Sequence, residues 1–398
     1  VALKAFIRSK EALLTNAAAM LMDAVCSLQL GQVQNATSVL NEMGPAPPIP
    51  PQLLFDFALE ADKQRQYQLA FLAMKLVPET FPDPYTHGYD EALAAHASGN
   101  DAEAVSIIRD MLSRNLVSAE LYDLLGNALE QQGIANHKPA LVEEAYDAYR
   151  KGIYTDPHNL ANFLDIGRLA LKLGNYSLCE QLVSEGLKQN PSAYQLVLER
   201  GVAYSLASDA KNAATDFESA RRRAPHNPLP YLAAGMLAIQ DGRNGDAAKI
   251  LQQGIDSSDS QNAWLYFLLA RSLYKDGEDS PEAESRIQAA LREAMRHNPN
   301  FAEAFGLAGH VWLKAGSVQE GIRFLETAHR LDPGNSHYVY ALAVAKRMQG
   351  DSVKAAKDFQ AFRQLEAANN PARTKEFFIR ILANQPSGTG FREPGNAN

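Results

Sequence analysis

The chain of 398 residues reads as an all-α solenoid of about ten helical hairpins. Three observations lead there. Gly167, Gly201 and Gly235 recur at intervals of 34 residues, and Gly309 resumes the pattern further on. Apolar residues make up 46% of the chain but aromatic ones only 8%, with Ala and Leu throughout and no β-branched runs of period two. A single hydrophobic core stops growing well below this length, whereas a solenoid lengthens by stacking units that bury their faces against neighbours.

Each glycine of the series opens a longer pattern. A second glycine follows it at Gly174, Gly242 and Gly316, then a small residue at Cys179, Ala213, Ala247 or Gly321. Another small residue comes at Gly186, Ala220, Gly254 or Ala328, and a proline at Pro191, Pro225 or Pro333. The first glycine lets two helices cross closely, and the second closes the turn with positive φ. The small residues admit the facing helix, and proline opens the next unit where no N–H is needed. At these positions the segments NLANFLDIGRLALKLGNYSLCEQLVSEGLKQNP and NFAEAFGLAGHVWLKAGSVQEGIRFLETAHRLDP resemble the tetratricopeptide repeat family. The resemblance implies a right-handed superhelical solenoid that binds other molecules and catalyses nothing.

Taken in order, residues 1–16 predict an amphipathic N-terminal helix, with Val1, Leu3, Phe6, Ile7, Leu13 and Leu14 on its apolar face. Residues 17–118 hold degenerate repeats beginning near Ala17, Pro51 and Tyr85. Residues 119–370 hold the well-matched repeats. They contain two insertions, IANHKPALV after Gly133 and EDSPEAES after Gly277, each expected to lengthen the loop between paired helices. Residues 371–384 read as a capping helix, and residues 385–398 as a polar Gly/Pro-rich tail. A chain that opens at Val1 fits export with leader removal or a trimmed polypeptide; we expect export to a periplasmic or extracellular setting.

Chemistry-bearing motifs are missing: no HExxH, phosphate-binding Gly-rich loop, GxSxG or CxxC occurs. No catalytic residue, metal or cofactor is expected. The net charge of −8 argues against a nucleic-acid partner, and Arg221, Arg222 and Arg223 read as a solvated run complementing a helix dipole. His158, His226 and His297 fall in connectors, while His310 and His337 fall on the first-helix face. Cys179 stands where a small buried residue is required, so a packed thiol is expected. No apolar run reaches membrane-spanning length. Asn35 and Asn175 head N-x-S/T sequons, which matter only in an exported chain.

In the family this chain resembles, the first helix of each hairpin lines the concave surface. Its groove-facing residues lie three and six before the close-packing small residue, and one and four after it. Around Gly126 that rule selects an acidic patch of Glu120, Asp123, Asn127 and Glu130. Further along it selects Leu164, Arg168 and Leu171, then Leu198 and Val202, then Leu229, Leu232, Met236 and Ile239. Around Ala270 it selects Trp264, Phe267, Arg271 and Tyr274. An open apolar strip of this extent marks a binding site, and Trp, Tyr and Arg dominate interface energy. The expected partner is an apolar or amphipathic protein or peptide segment; other copies of the chain, docking head to tail through residues 1–16, form a second candidate. The alternative is an accessory or substrate-binding part of an envelope polysaccharide or glycosyltransferase system.

Overall fold

The computed structural model describes residues 17–44, 47–258, 261–277 and 280–366, the side chain of Glu366 excepted. The helices expected over 1–16 and 371–384 and the tail over 385–398 lie outside the described residues. Twenty α-helices and no strand occur among the described residues. They fall into two compact units, one ending at Leu169 and the other beginning at Ala170.

The first unit stacks α1 (Ala17–Gln29), α2 (Val33–Glu42), α3 (Pro51–Lys63), α4 (Tyr67–Met74), α5 (Pro84–Ala97), α6 (Asp101–Ser113), α7 (Ala119–Ala135) and α8 (Pro139–Thr155), with the start of α9 (Leu160–Lys172). Helix starts are written locally. Pro51, Pro84 and Pro139 take first-turn positions where a missing N–H costs nothing. The Asp83 carboxylate accepts from the N–H groups of Tyr85 and Thr86, and the Ser118 hydroxyl from that of Leu121.

The second unit continues with α10 (Tyr176–Gln189), α11 (Tyr194–Leu206), α12 (Ala210–Arg223), α13 (Pro228–Gln240), α14 (Asn244–Ser258), α15 (Ala263–Asp276), α16 (Pro281–His297), α17 (Ala302–Lys314), α18 (Val318–Leu331), α19 (Ser336–Met348) and α20 (Ser352–Glu366). Asn227, Asn262 and Asn335 cap α13, α15 and α19, each accepting from an N–H two residues on. Within each hairpin the small residues of the second helix are sealed. Cys179, Ala213, Ala220, Ala247 and Ala328 all have no exposed surface.

Close approach explains the glycine series. A β-carbon at Gly201 would stand 2.6 Å from the Phe217 ring and 3.2 Å from the Asp216 Cβ, so α11 and α12 cross with nothing between them. At Gly235 it would meet Leu251 at 2.6 Å. The turn position seven residues later has φ of 78° at Gly174, 75° at Gly242 and 80° at Gly316. Ser208 holds the same place in the α11–α12 hairpin with φ of 65°, bearing a side chain where its counterparts carry none.

The insertions depart from expectation. The one after Gly133 does not lengthen a loop. It lengthens both helices to 17 residues, leaving three residues between α7 and α8. Its Ala, Leu and Val residues favour helix, and Pro139 starts the second one. Most of the second insertion likewise enters α16, which is 17 residues long and opens at Pro281.

Two substitutions test this packing. Gly201→Val should lower unfolding free energy by about 2 kcal/mol or more, because the overpacked branch meets a ring and backbone-adjacent carbon at once. Ser208→Gly should raise it by ~0.5–1 kcal/mol, the left-handed strain removed less the extra freedom of the unfolded glycine. Urea melts followed by circular dichroism read both; a neutral Gly201→Val would overturn the close-crossing account.

Candidate functional site

The face selected for partner binding is only partly open. In the second unit Leu198 and Val202 have no exposed surface, and Leu171, Leu229, Leu232, Met236 and Phe267 are also buried. Leu164, in the first unit, is buried too. The continuous open apolar strip expected from the sequence is therefore absent. Successive first helices touch one another, α11 with α13, α13 with α15 and α15 with α17. Side chains midway along the face are covered by the next first helix. Of the thirteen selected residues, Arg168, Ile239, Trp264, Arg271 and Tyr274 keep substantial exposure.

Three of those five share α15. Trp264, Arg271 and Tyr274 recur at intervals of seven and three, which puts them on one helical stripe with Phe267. The Trp264 ring lies 4.4 Å from the Phe301 ring and 5.7 Å from the Phe267 ring, and the two phenylalanines are 5.0 Å apart. Phe267 and Phe301 are buried and hold the half-buried indole in place. Beyond the stripe, a cleft of ≈ 290 Å³ is lined by Tyr274, Leu273, Glu284, Ile287, Val311 and Lys314. The Lys314 ammonium stands 6.0 Å from the centre of the Tyr274 ring.

Arg271 has no hydrogen bond or ion pair among the described residues, and loss of hydration holds its guanidinium below the usual range. Other arginines differ. Arg200 donates to both oxygens of the buried Asp216, at 2.7 and 2.9 Å. Arg221 pairs with Glu218 at 2.8 Å and lies over the Tyr231 ring, Arg222 is 3.7 Å from Glu218, and Arg223 donates to the Pro191 carbonyl. The arginine run is thus engaged within the repeat stack. On α17, His310 follows Gly309 as Arg271 follows Ala270. Crowding by surrounding protein, then the charge of His337, pushes His310 below the ordinary imidazole range.

In the first unit the acidic patch is a packed polar cluster. Asp123 and Glu130 are 1% and 5% exposed. The Asn127 amide donates to Asp123 at 3.3 Å and to Asp165 at 3.2 Å, and Arg168 donates to Asp165 at 2.8 Å. The Tyr149 hydroxyl reaches Glu130 at 3.1 Å. Burial, and then the negative charge of Asp165, push the Asp123 carboxyl well above the ordinary carboxylate range. Asp165 and Tyr149 fall outside the groove positions, so the sequence reading missed both. A signal was present only in Asp123 itself, an acid at a position that neighbouring repeats fill with Leu.

The remaining sequence candidates are placed plainly. Burial pushes the Cys179 thiol upward, which makes it a poor nucleophile, and both cysteines are free. No group of three His, Cys, Asp or Glu side chains suited to a metal occurs among the described residues, nor does a helix long and apolar enough to cross a membrane. Asn35 is exposed and donates to the Ser27 hydroxyl at 2.6 Å, whereas Asn175 is exposed and caps α10. His226 accepts or donates at the Ser257 carbonyl at 2.8 Å, and His297 stacks on Tyr266 at 5.4 Å.

Comparison with known proteins agrees with this architecture. Residues 164–228 and 267–336 match the tetratricopeptide repeat family. The chain is a tetratricopeptide repeat protein. It is 25% identical over 259 residues to the BBSome complex member bbs-4 of Caenorhabditis elegans, covering 64% of this chain and 47% of that one. It is also 25% identical over 215 residues to Hsp70-Hsp90 organizing protein 1 of Glycine max, covering 51% of this chain and 35% of that one. The chain thus spans half or less of the length of the curated relatives it matches. Among solved structures, yeast Tom70 superposes with a TM-score of 0.51 at 15% identity, over 96% of this chain and 90% of its own, a likeness of fold.

The polar cluster yields a prediction with a definite sign. A carboxyl whose folded pKa is raised contributes stability that is complete below its unfolded pKa of about 4 and is lost as pH rises through the folded value. Asp123→Asn keeps a donor toward Asp165 without the charge. Relative to wild type its melting temperature should therefore gain as pH rises from 4 to 8. A constant difference across that range would show that Asp123 titrates like an exposed acid.

Proposed function

We propose that this chain is a non-catalytic protein-binding scaffold that seats an amphipathic partner segment on the first-helix face of its second unit, at Trp264, Arg271 and Tyr274. One observation carries the reading: these three side chains stay accessible on a single stripe while the rest of the selected row is covered. A half-buried indole braced by two buried rings is the kind of rigid aromatic anchor that interfaces use. Family membership supports a binding role, and one matched relative is by name an organizer of two other proteins.

Binding of this kind draws on pre-formed surface, so little of the gain is spent on ordering the groove. The apolar part of the partner covers Trp264, and its polar part faces Arg271 and Tyr274. Residues 1–16, with their apolar face, are a candidate segment for seating one copy on another. Deleting them and measuring mass by light scattering separates a scaffold that self-assembles from one that binds only foreign partners.

Cross-linking capture comparing wild type with Trp264→Ala/Tyr274→Ala tests the main reading. Phe267 is left intact, because truncating a buried phenylalanine costs about 3–5 kcal/mol and would confound the result. Partner recovery should fall by ~10-fold or more, as two anchors each worth more than about 1 kcal/mol are removed. Equal recovery of the same partners by both proteins would place the binding surface elsewhere.

A further inference from the structure

We propose that Arg271 is a carboxylate anchor, so that the segment seated on α15 is acidic: an Asp or Glu side chain meets the guanidinium while an apolar neighbour covers Trp264. This rests on the reading of the second unit's first-helix face as the partner surface, and it names the chemistry of what that surface holds.

The first argument is an unanswered charge. Arg271 is half-buried, yet neither a carboxylate nor a carbonyl takes its five donors among the described residues, and no unprinted partner reduces that deficit. Arginines desolvated for the sake of the fold are paired, as Arg200 is with Asp216 in the same unit. A cation left in part out of water with no counterion is a cost in the free protein that an external anion removes.

The second argument is the absence of acids around it. Of the groove positions flanking it on α15 and α17, Glu303 alone is acidic, at the start of α17 and exposed. The others are Trp264, Phe267, Tyr274, Gly306, His310 and Leu313. His337, on α19, lies near enough to His310 for its charge to be felt. The face thus gathers groups able to become positive on a chain whose net charge is −8. Local sign opposes global sign, which is what selective recognition of an acidic segment requires, since the chain as a whole repels it.

The third argument concerns which anion. One guanidinium supplies a single firm positive charge, and the neighbouring His310 is held toward its neutral form. A singly charged carboxylate matches that better than a doubly charged phosphate. Arg presents a planar fork suited to bidentate carboxylate pairing, and the adjoining indole requires an apolar residue beside the acid.

Selection from a random dodecapeptide display library on the whole chain decides the matter, using wild type, Arg271→Gln and Trp264→Ala in parallel. Wild type should enrich peptides in which Asp or Glu lies within a few residues of an apolar side chain. Arg271→Gln should lose the acidic preference and keep the apolar one, and Trp264→Ala should do the reverse. The affinity of a selected peptide should fall at least ~10-fold on Arg271→Gln, and similarly when its own Glu is replaced by Gln. Because Arg271 serves no pair within the fold, Arg271→Gln should melt no earlier than wild type, whereas Arg200→Gln, which strands Asp216, should melt earlier. Enriched peptides without excess acid, or an acidic preference that survives in Arg271→Gln, would overturn the anchor and leave the partner surface standing. Phosphopeptide-like or purely phosphate-dependent capture, read by competition with inorganic phosphate, would overturn the carboxylate assignment. If neither wild type nor variants enrich anything, both the anchor and the partner surface fail together.

Discussion

Everything in this molecule follows from how closely two helices of a hairpin are allowed to cross. At Gly201 the backbone of α11 lies against the Phe217 ring with no room for a β-carbon, and Gly235 faces Leu251 in the same way. That approach brings the small residues of the second helices, Ala213 and Ala247 among them, into complete burial. It also fixes the angle at which each hairpin leaves a surface for the next. A solenoid has no central core, so this local crossing, repeated, takes the place that a core holds in a globular domain.

The same repetition decides what stays open. First helices stand side by side, and each covers part of its predecessor's outward row. Leu198 and Val202 disappear under this arrangement, while Trp264, Arg271 and Tyr274 on α15 do not. Binding capacity is concentrated at one stripe instead of being spread along the face. The polar cluster of Asp123, Asn127, Asp165 and Arg168 shows the opposite use of similar positions. There, groups that could have met a partner satisfy one another. Paired charge is structural, and unpaired charge is available, which is why Arg168 and Arg271 differ in role despite both lying on first helices.

Backbone chemistry at the turns tells a related story. Gly174, Gly242 and Gly316 relieve the left-handed turn, and Ser208 endures it. The repeat tolerates a local violation because packing on both sides of α11 and α12 over-determines the conformation. The insertion after Gly133 is absorbed by extending two helices, since extension keeps backbone groups hydrogen-bonded where a longer loop would leave them to water.

From its sequence alone the chain determined its repeat, its all-helical class, the placement of small residues in each hairpin, and the caps and prolines that start its helices. These are properties of neighbours along the chain, written in spacing and residue type. Tertiary structure alone decided which apolar residues of the first-helix row are covered, that Asp165 and Tyr149 join Asp123, and that Arg271 has no counterion. Those depend on side chains one or more repeats away, roughly forty residues in the case of Asp123 and Asp165. Periodicity says which way a side chain points. It does not say whether another helix has arrived there first.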